Sequence, residues 1–361
     1  MSNQIRVSTD GLKKFTTDVL AQLINKKDAS ITAEILLSAD VRGIESHGVA
    51  RLYRYIKGLQ DGTIIPDVEP EIIKETPVSM VVDGMGGMGQ AITYKIMQKC
   101  IEKAKTKYIC FASIRNSNHY GIAGYYTKMA LEENLLGISM TNSAPLVLPT
   151  FGKNAVVGTN PISVGIPAQN YPPFLLDMAT STVPRGKLEV YARKDQEIPN
   201  SWATDEKGIP TINPGIVLQN MLDRVGGGLL PLGGAGELTG GHKGFGLGVL
   251  IDIFSAVLSS GKVGSDVYRE KGKPAGVCHF VGTIHPDAFL GLESIQKNMD
   301  YYIEMLKKCP KSEGDDYIYI AGEKEQTNEE KNKTCLMLQD KVFENLNNIG
   351  SNYGLLLEAL K

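Results

Sequence analysis

Val78-Ser79-Met80-Val81-Val82-Asp83-Gly84-Met85-Gly86-Gly87-Met88-Gly89 runs a β-prone apolar stretch into a glycine-rich turn. Valine-rich runs bounded by glycine read as strands. Residues 90–105 then carry apolar side chains at helical spacing, and 109–113 is a second β-prone run. Strand, turn, helix and strand form a crossover unit, which predicts an α/β fold. Toward the N-terminus, Leu12, Phe15, Val19, Leu20 and Leu23 follow a helical period after the capping run Ser8-Thr9-Asp10. A second helix is expected after Ser30, stopping near Gly43, and a third from Ser46 to Leu59. From Pro66 the texture turns β-rich. Toward the C-terminus, a helix through Tyr126 and strands at 137–140, 162–166 and 174–176 lead into a glycine- and proline-rich middle. After about residue 290 the pattern is helical again, with a charged stretch from Glu323 to Lys333. The expectation is a helical domain made of 1–76 and 290–361 around a sheet domain of 77–289.

The turn Gly84–Gly89 fits GxGxxG in the setting of a dinucleotide fingerprint. That fingerprint also needs an acidic residue about 20 positions on. The second strand instead runs into Ile114-Arg115-Asn116-Ser117-Asn118, with no carboxylate. Arg115 would suit only a 2′-phosphate. The glycines therefore read as a tight turn.

The 361 residues allow two or three domains. A hydrophobic share of 42% with 22% charged residues excludes a disordered chain. With 38 Lys and Arg against 40 Asp and Glu, the net charge is −2, so no nucleic-acid partner is expected. The five cysteines have no CxxC spacing, so neither a metal site nor a disulfide framework is expected. Residues 1–6 lack the apolar stretch of a secretory signal. The apolar run Phe245–Leu258 is interrupted by Asp252 and falls short of the ~20 residues of a membrane span, so it reads as a buried helix. These features predict a cytoplasmic chain with no membrane partner. No phosphate loop, HExxH or GxSxG is present.

Five polar clusters remain. In Ser46-His47-Gly48-Val49-Ala50-Arg51, a histidine in a first helical turn would feel the positive end of the macrodipole and stay neutral. Arg51, one turn on, would grip a carboxylate. Val49, Leu52, Ile56 and Leu59 form the opposite, apolar face, and read from residue types alone the polar face is equally a solvated surface. Asn116-Ser117-Asn118-His119-Tyr120-Gly121 lies at a strand end, where ligands settle in α/β proteins, although Asn, Ser and Gly also simply make turns. Thr141-Asn142-Ser143 and Gly158-Thr159-Asn160-Pro161 place amides and hydroxyls at a rim. Leu176-Asp177-Met178-Ala179-Thr180-Ser181 with Gly186-Lys187, and Gly240-Gly241-His242-Lys243-Gly244-Phe245, complete the set.

In this order the clusters resemble the signatures of the type-2 malate/L-lactate dehydrogenase family, also called L-sulfolactate dehydrogenase-like, and span residues 46–247. Gly322-Glu323 looks like a degraded late PGE segment. The resemblance implies a mixed-sheet, non-classical NAD-binding domain beside a helical one, a substrate cleft between them, and a homodimer. It implies NAD as cofactor, with NADP as the alternative, and a small 2-hydroxy acid as substrate. Malate is the first activity it suggests; lactate, sulfolactate and ureidoglycolate dehydrogenases and cyclic 2-imino-carboxylate reductases belong to the same family. A non-catalytic nucleotide-binding module is the rival from another class. Carried over by position, His47 and His119 match the acid–base groups, and Ser46 and Lys187 a supporting relay. Arg51 matches the carboxylate clamp and Thr159 a further substrate contact. His119, Tyr120, Gly121, Ile122, Ala123, Ser143, Asp177, Met178 and Ala179 match cofactor contacts. Pro184-Arg185 ahead of Gly186-Lys187, and Ala321 in place of the late proline, depart from the pattern.

Overall fold

The computed structural model describes residues 4–360. The chain begins with a strand, β1 (Gln4–Ser8), and two helices, α1 (Thr9–Leu20) and α2 (Lys26–Val41). Ser8 caps α1 by accepting the Gly11 N–H at 3.2 Å, as its sequence predicts. Asn25 caps α2 in the same way, so that helix starts at Lys26, four residues before Ser30. Next come α3 (Leu52–Gln60), β2 (Glu71–Glu75), β3 (Ser79–Asp83), α4 (Gly89–Lys107), β4 (Ile109–Ser117), α5 (Ala123–Glu132), β5 (Leu136–Thr141), β6 (Ile162–Ile166) and β7 (Phe174–Met178). A smaller lobe holds α6 (Arg185–Arg193), β8 (Ala203–Thr204), α7 (Pro214–Asp223) and β9 (Gly228–Leu229). The chain then returns through α8 (Gly241–Ser255), β10 (Val277–Ile284), α9 (Leu292–Lys307), α10 (Glu323–Lys331), β11 (Cys335–Gln339) and α11 (Asp340–Ser351).

The main sheet has seven strands in the order β2-β3-β4-β10-β5-β6-β7. Only β3 and β4 are parallel, joined by the α4 crossover; every other neighbour pair is antiparallel. The sheet is therefore mixed, as expected. The glycine turn before α4 is packed shut: a Cβ at Gly89 would lie 2.1 Å from the Asn118 carbonyl oxygen, and one at Gly87 2.3 Å from Val68. Asp83 accepts from Arg115 and Asn116, so Arg115 is committed to an ion pair. The turn positions the 116–119 loop, and that is a structural role.

One apolar cluster joins α1, α3 and α11 around Leu12, Leu36, Leu52 and Leu346, and a second joins α4 and α5 to the sheet around Ile92, Ile96 and Ile114. Helix α2 belongs to both, with Leu36 and Leu37 in the first and Ile31 and Ile35 in the second. A helix apolar on all sides is buried on all sides. The chain's two ends are tied by a ribbon that sequence reading does not supply: β1 pairs antiparallel with β11, Val7 opposite Leu336. Helix α9 instead meets the sheet's far end, where Asp300 accepts the Gln169 and Asn170 N–H groups at 3.0–3.1 Å.

Helix α8 covers the other sheet face through Ile251, against Met140 and Phe280. It corrects the expectation of a fully buried helix. Leu250 and Ile253 are each 41% exposed, and Val257 and Leu258, just beyond it, are 55% and 54% exposed. The segment Gly241–Ser259 is long and apolar enough to cross a membrane by length and composition. Here it lies on the sheet, with Asp252 buried and bonded at its middle.

Candidate active site

The site begins where α2 ends. Asp40, on its last turn, is buried, and its Oδ2 accepts the Val49 N–H at 2.7 Å. A Cβ on Gly48 would lie 1.9 Å from Asp40 Oδ1, so glycine is required over the carboxyl. The result corrects the expected single helix from Ser46. Two 3₁₀ turns, Glu45–His47 and Val49–Arg51, are separated by extended Gly48, and only then does α3 begin. His47 thus gains nothing from a macrodipole. It is neutral for another reason: burial first, then Arg51 and Arg54, lower its pKa from 6.5 to about 4. Burial pushes Asp40 the other way, up to about 8, against the opposing pull of the Val49 bond.

His119 arrives from the loop after β4. Its ring stacks on that of His47, with centroids 5.5 Å apart and planes at 25°. Burial, followed by the charge of Arg54, keeps it well below the ordinary histidine range. Its Nδ1 lies 2.7 Å from the Tyr55 hydroxyl and accepts the Gly121 N–H at 3.3 Å. A backbone N–H only donates, so Nδ1 must present a lone pair, and the proton of neutral His119 sits on Nε2. His47 has no such restriction. Its Nδ1 shares a 2.8 Å hydrogen bond with the Ser46 hydroxyl, which donates or accepts.

Arg51 donates through Nε to the Ser46 carbonyl at 2.7 Å. Arg54 donates to the Tyr268 hydroxyl at 2.5 Å, with its guanidinium 5.5 Å from that ring's centre. A cavity of about 220 Å³ opens between α3 and the 268–275 loop, with Arg54, Tyr55, Asn118, His119 and Tyr268 on its wall. Ser46, His47, Arg51 and His119 therefore converge. Lys187 does not join them: its ammonium stands 5.3 Å from the Trp202 ring centre, and no hydrogen bond links it to Ser46 or His47.

The remaining positions divide. Thr159 donates its N–H to Ser143 Oγ at 3.0 Å, and the two hydroxyls lie 3.2 Å apart at the rim. Their neighbours Asn142 and Asn160 point inward instead, donating to the two oxygens of Asp252 at 2.9 and 3.2 Å. That pins α8 to the sheet, so half of the expected amide rim is core. Tyr120 also turns inward. Its side chain is buried, stacks on His279 at 4.5 Å and shares a hydrogen bond with Ser139, so only its backbone borders the site. Asp177 accepts the Gly124 N–H at 2.7 Å and so caps α5; burial raises its pKa to about 6. Ile122 and Ala123 are buried, while Met178 and Ala179 are half-buried.

Sequence reading misses four contributors. Tyr55 hides on the apolar face of α3, although its spacing of four from Arg51 marks the same side of the helix. Asp40 looks like a solvated helix end. His279 sits inside a β run; it is fully buried, bonded to Thr141 and Ser117, and its pKa falls to about 3 through burial. Arg42, buried, is paired with Glu329 at 2.7 Å, and Glu329 also binds Lys128. This trio lines a groove of about 670 Å³ between α2, α5, β7 and α10.

Stacked neutral imidazoles beside two guanidiniums make an acid–base site for a small anion, the equipment of an oxidoreductase acting on a hydroxy acid. The comparisons agree and go further. Residues 7–347 match the malate/L-lactate dehydrogenase family. The malate dehydrogenase of Pyrococcus abyssi is 46% identical over 355 residues, 98% of this chain and 96% of that one. The L-sulfolactate dehydrogenase of Methanocaldococcus jannaschii is 35% identical over 351 residues, 96% of each. The crystal structure of malate dehydrogenase from Entamoeba histolytica superposes with a TM-score of 0.94 at 34% identity, covering 98% of this chain and 99% of that one. The chain belongs to the malate/L-lactate dehydrogenase family and is a nicotinamide-dependent enzyme.

Proposed function

We propose that this enzyme transfers a hydride between nicotinamide and C2 of L-malate, with oxaloacetate as the oxidised partner. The observation that carries the reading is the stacked His47–His119 pair with Arg51 and Arg54 one turn apart. Arg51 clamps the C1 carboxylate. His47, free to hold its proton on Nδ1 against Ser46, presents a bare Nε2 and accepts the hydroxyl proton. His119, fixed as the Nε2–H form, donates a hydrogen bond to the same oxygen and holds it in line. Such acid–base help is typically worth ~10²–10⁴-fold in rate. Thr159 gives a further substrate contact from the rim. Lys187 would have to leave Trp202 to join Ser46, so the proton step is assigned to the two histidines.

The large groove fits a dinucleotide. At about 670 Å³ it lies within the range of ligand pockets, with aliphatic walls from Leu37, Val41 and Leu175 and cations from Arg42 and Lys128. It borders α5 behind the 119–123 stretch and β7 ahead of 177–179. Bound there, the cofactor supplies the hydride acceptor. Taken together the groove's wall carries Asp10, Glu34, Glu132, Glu329 and Glu330 against Lys13, Arg42, Lys128 and Lys333, an acidic balance that favours the ribose diol, hence NAD over NADP. The exposed apolar face of α8 supports a homodimer, and five free thiols support a cytoplasmic setting.

The test is a substrate panel followed by nicotinamide absorbance: malate, lactate, sulfolactate, ureidoglycolate and a cyclic imino acid, each with NAD and NADP. The expected result is the highest kcat/KM for malate with NAD. Turnover of the imino acid alone would move the assignment within the family. Binding of NADH without turnover of any acid would leave a nucleotide-binding module.

A further inference from the structure

We propose that Arg54, framed by Tyr268 in the cavity beside His119, is a second anion clamp that receives the distal carboxylate or sulfonate of the substrate. The inference rests on the hydroxy-acid reading above and adds to it the device that selects two-anion substrates over lactate-like ones.

Arg51 ends a 3₁₀ turn and Arg54 lies in the first turn of α3, three residues on, so both guanidiniums leave the same side of the helix. Neither forms an ion pair among the described residues. Arg54 is held by a neutral partner: the Tyr268 hydroxyl accepts one N–H at 2.5 Å, and the ring lies under the guanidinium at 5.5 Å. This fixes its position while leaving its charge and most of its five donors uncommitted. Such a group is preorganised for an anion and costs little further ordering when one arrives.

The cavity supplies the rest. Lys271 and Lys273 also line it, and the one carboxylate present, Glu270, is paired with Lys262 at 3.2 Å. Its balance is therefore cationic. At about 220 Å³ it is smaller than the ~300 Å³ at which drug-sized pockets begin, which suits a fragment of a few atoms. The two cations also divide their influence. Arg51 is the charge that acts most strongly on His47, and Arg54 the one that acts most strongly on His119. A substrate oxygen held at the Nε2 edges of the two rings, with its near carboxylate on Arg51, would have its other end directed to Arg54. Malate and sulfolactate carry an anion there, and lactate carries a methyl group.

The experiment measures kcat/KM for malate, sulfolactate and lactate in wild-type enzyme and in Arg54→Gln, Arg54→Lys and Tyr268→Phe, each checked for an unchanged thermal midpoint. In Arg54→Gln the malate-to-lactate ratio should fall at least about tenfold, mainly through KM, since a charged hydrogen bond is lost from one substrate only. Arg54→Lys should recover part of that ratio and Tyr268→Phe should lose a smaller part. A parallel fall for all three acids in Arg54→Gln, or an unchanged ratio, overturns the second clamp and leaves the hydroxy-acid reading standing. A wild-type enzyme that oxidises none of the three acids overturns both.

Discussion

Two ring nitrogens divide the acid–base work, because each histidine is held differently at Nδ1. His119 accepts there from Gly121 and meets Tyr55, whereas His47 meets only a rotatable hydroxyl. The two should therefore fail differently. His47→Ala should lose kcat by at least ~10²-fold with little change in nicotinamide affinity, the loss expected for a proton acceptor. Tyr55→Phe should cost less, about 10-fold, because Nδ1 of His119 then keeps only the longer Gly121 bond and the ring is held less firmly. It should also change the pH profile of kcat. The acid limb of kcat/KM in wild type should lie near pH 4 rather than 6.5, since burial and two arginines hold His47 neutral down to about 4. Steady-state rates across pH with the three proteins check this. An acid limb at 6.5, or a His47→Ala enzyme of undiminished kcat, would sink the assignment. His47 and Arg51 stand out in the sequence as polar residues opposite an apolar stripe, but residue types alone leave them equally a solvated face, and the family signature is what singles them out. Tyr55 does not stand out, since an aromatic on that stripe looks like any core residue.

Helix α8 shows where element-level reading stops. A run as apolar as 245–258 carries no contrast from which to tell the packed side from the open one. Packing supplies the contrast: Ile251 and Asp252 face the sheet, while Leu250, Ile253, Val257 and Leu258 face outward. Asp252 is the only visible interruption in the sequence, and its purpose appears only once Asn142 and Asn160, brought from two strand ends, are seen donating to it. The crossover around α4 was legible because strand, turn and helix are local. Exposed aliphatic side chains in one row ask for a cover. Ile253→Glu should accordingly convert the proposed homodimer to a monomer without loss of helix content. Sedimentation velocity at micromolar protein reads the outcome, and a wild-type enzyme that sediments as a monomer would refute this interface.

For the molecule as a whole, the groups buried in the wrong charge state set the range of pH over which the fold persists. His47 and His279 bind protons near 4 and 3 when folded and near 6.5 when unfolded. Their contribution is complete above 6.5 and drains away as pH falls through that window, at ~1.4 kcal/mol per pH unit for each group. Asp40 has the opposite sign. It keeps its proton to about 8 when folded and releases it near 3.8 when unfolded, so stability declines as pH rises toward 8 and levels off beyond. Asp177 adds a shorter decline that ends near 6. As pH falls below 6.5 the buried histidines, His119 in the same direction, draw stability down, and as pH rises above 6.5 Asp40 draws it down. Maximum stability should thus fall near pH 6.5. None of this could be read from the sequence, because burial of Asp40 beneath Gly48, or of His279 between β4 and β5, exists only after distant segments pack, as does the β1–β11 ribbon that closes the chain. Asp40→Asn keeps an acceptor for Val49 and removes the titration, so the decline between pH 7 and 8 should flatten in that variant while the acid limb stays. Urea unfolding at pH steps from 4 to 9 separates the limbs. A wild-type stability that climbs from pH 7 to 8, or an Asp40→Asn curve that falls as steeply as wild type there, would show that some other group controls the alkaline side.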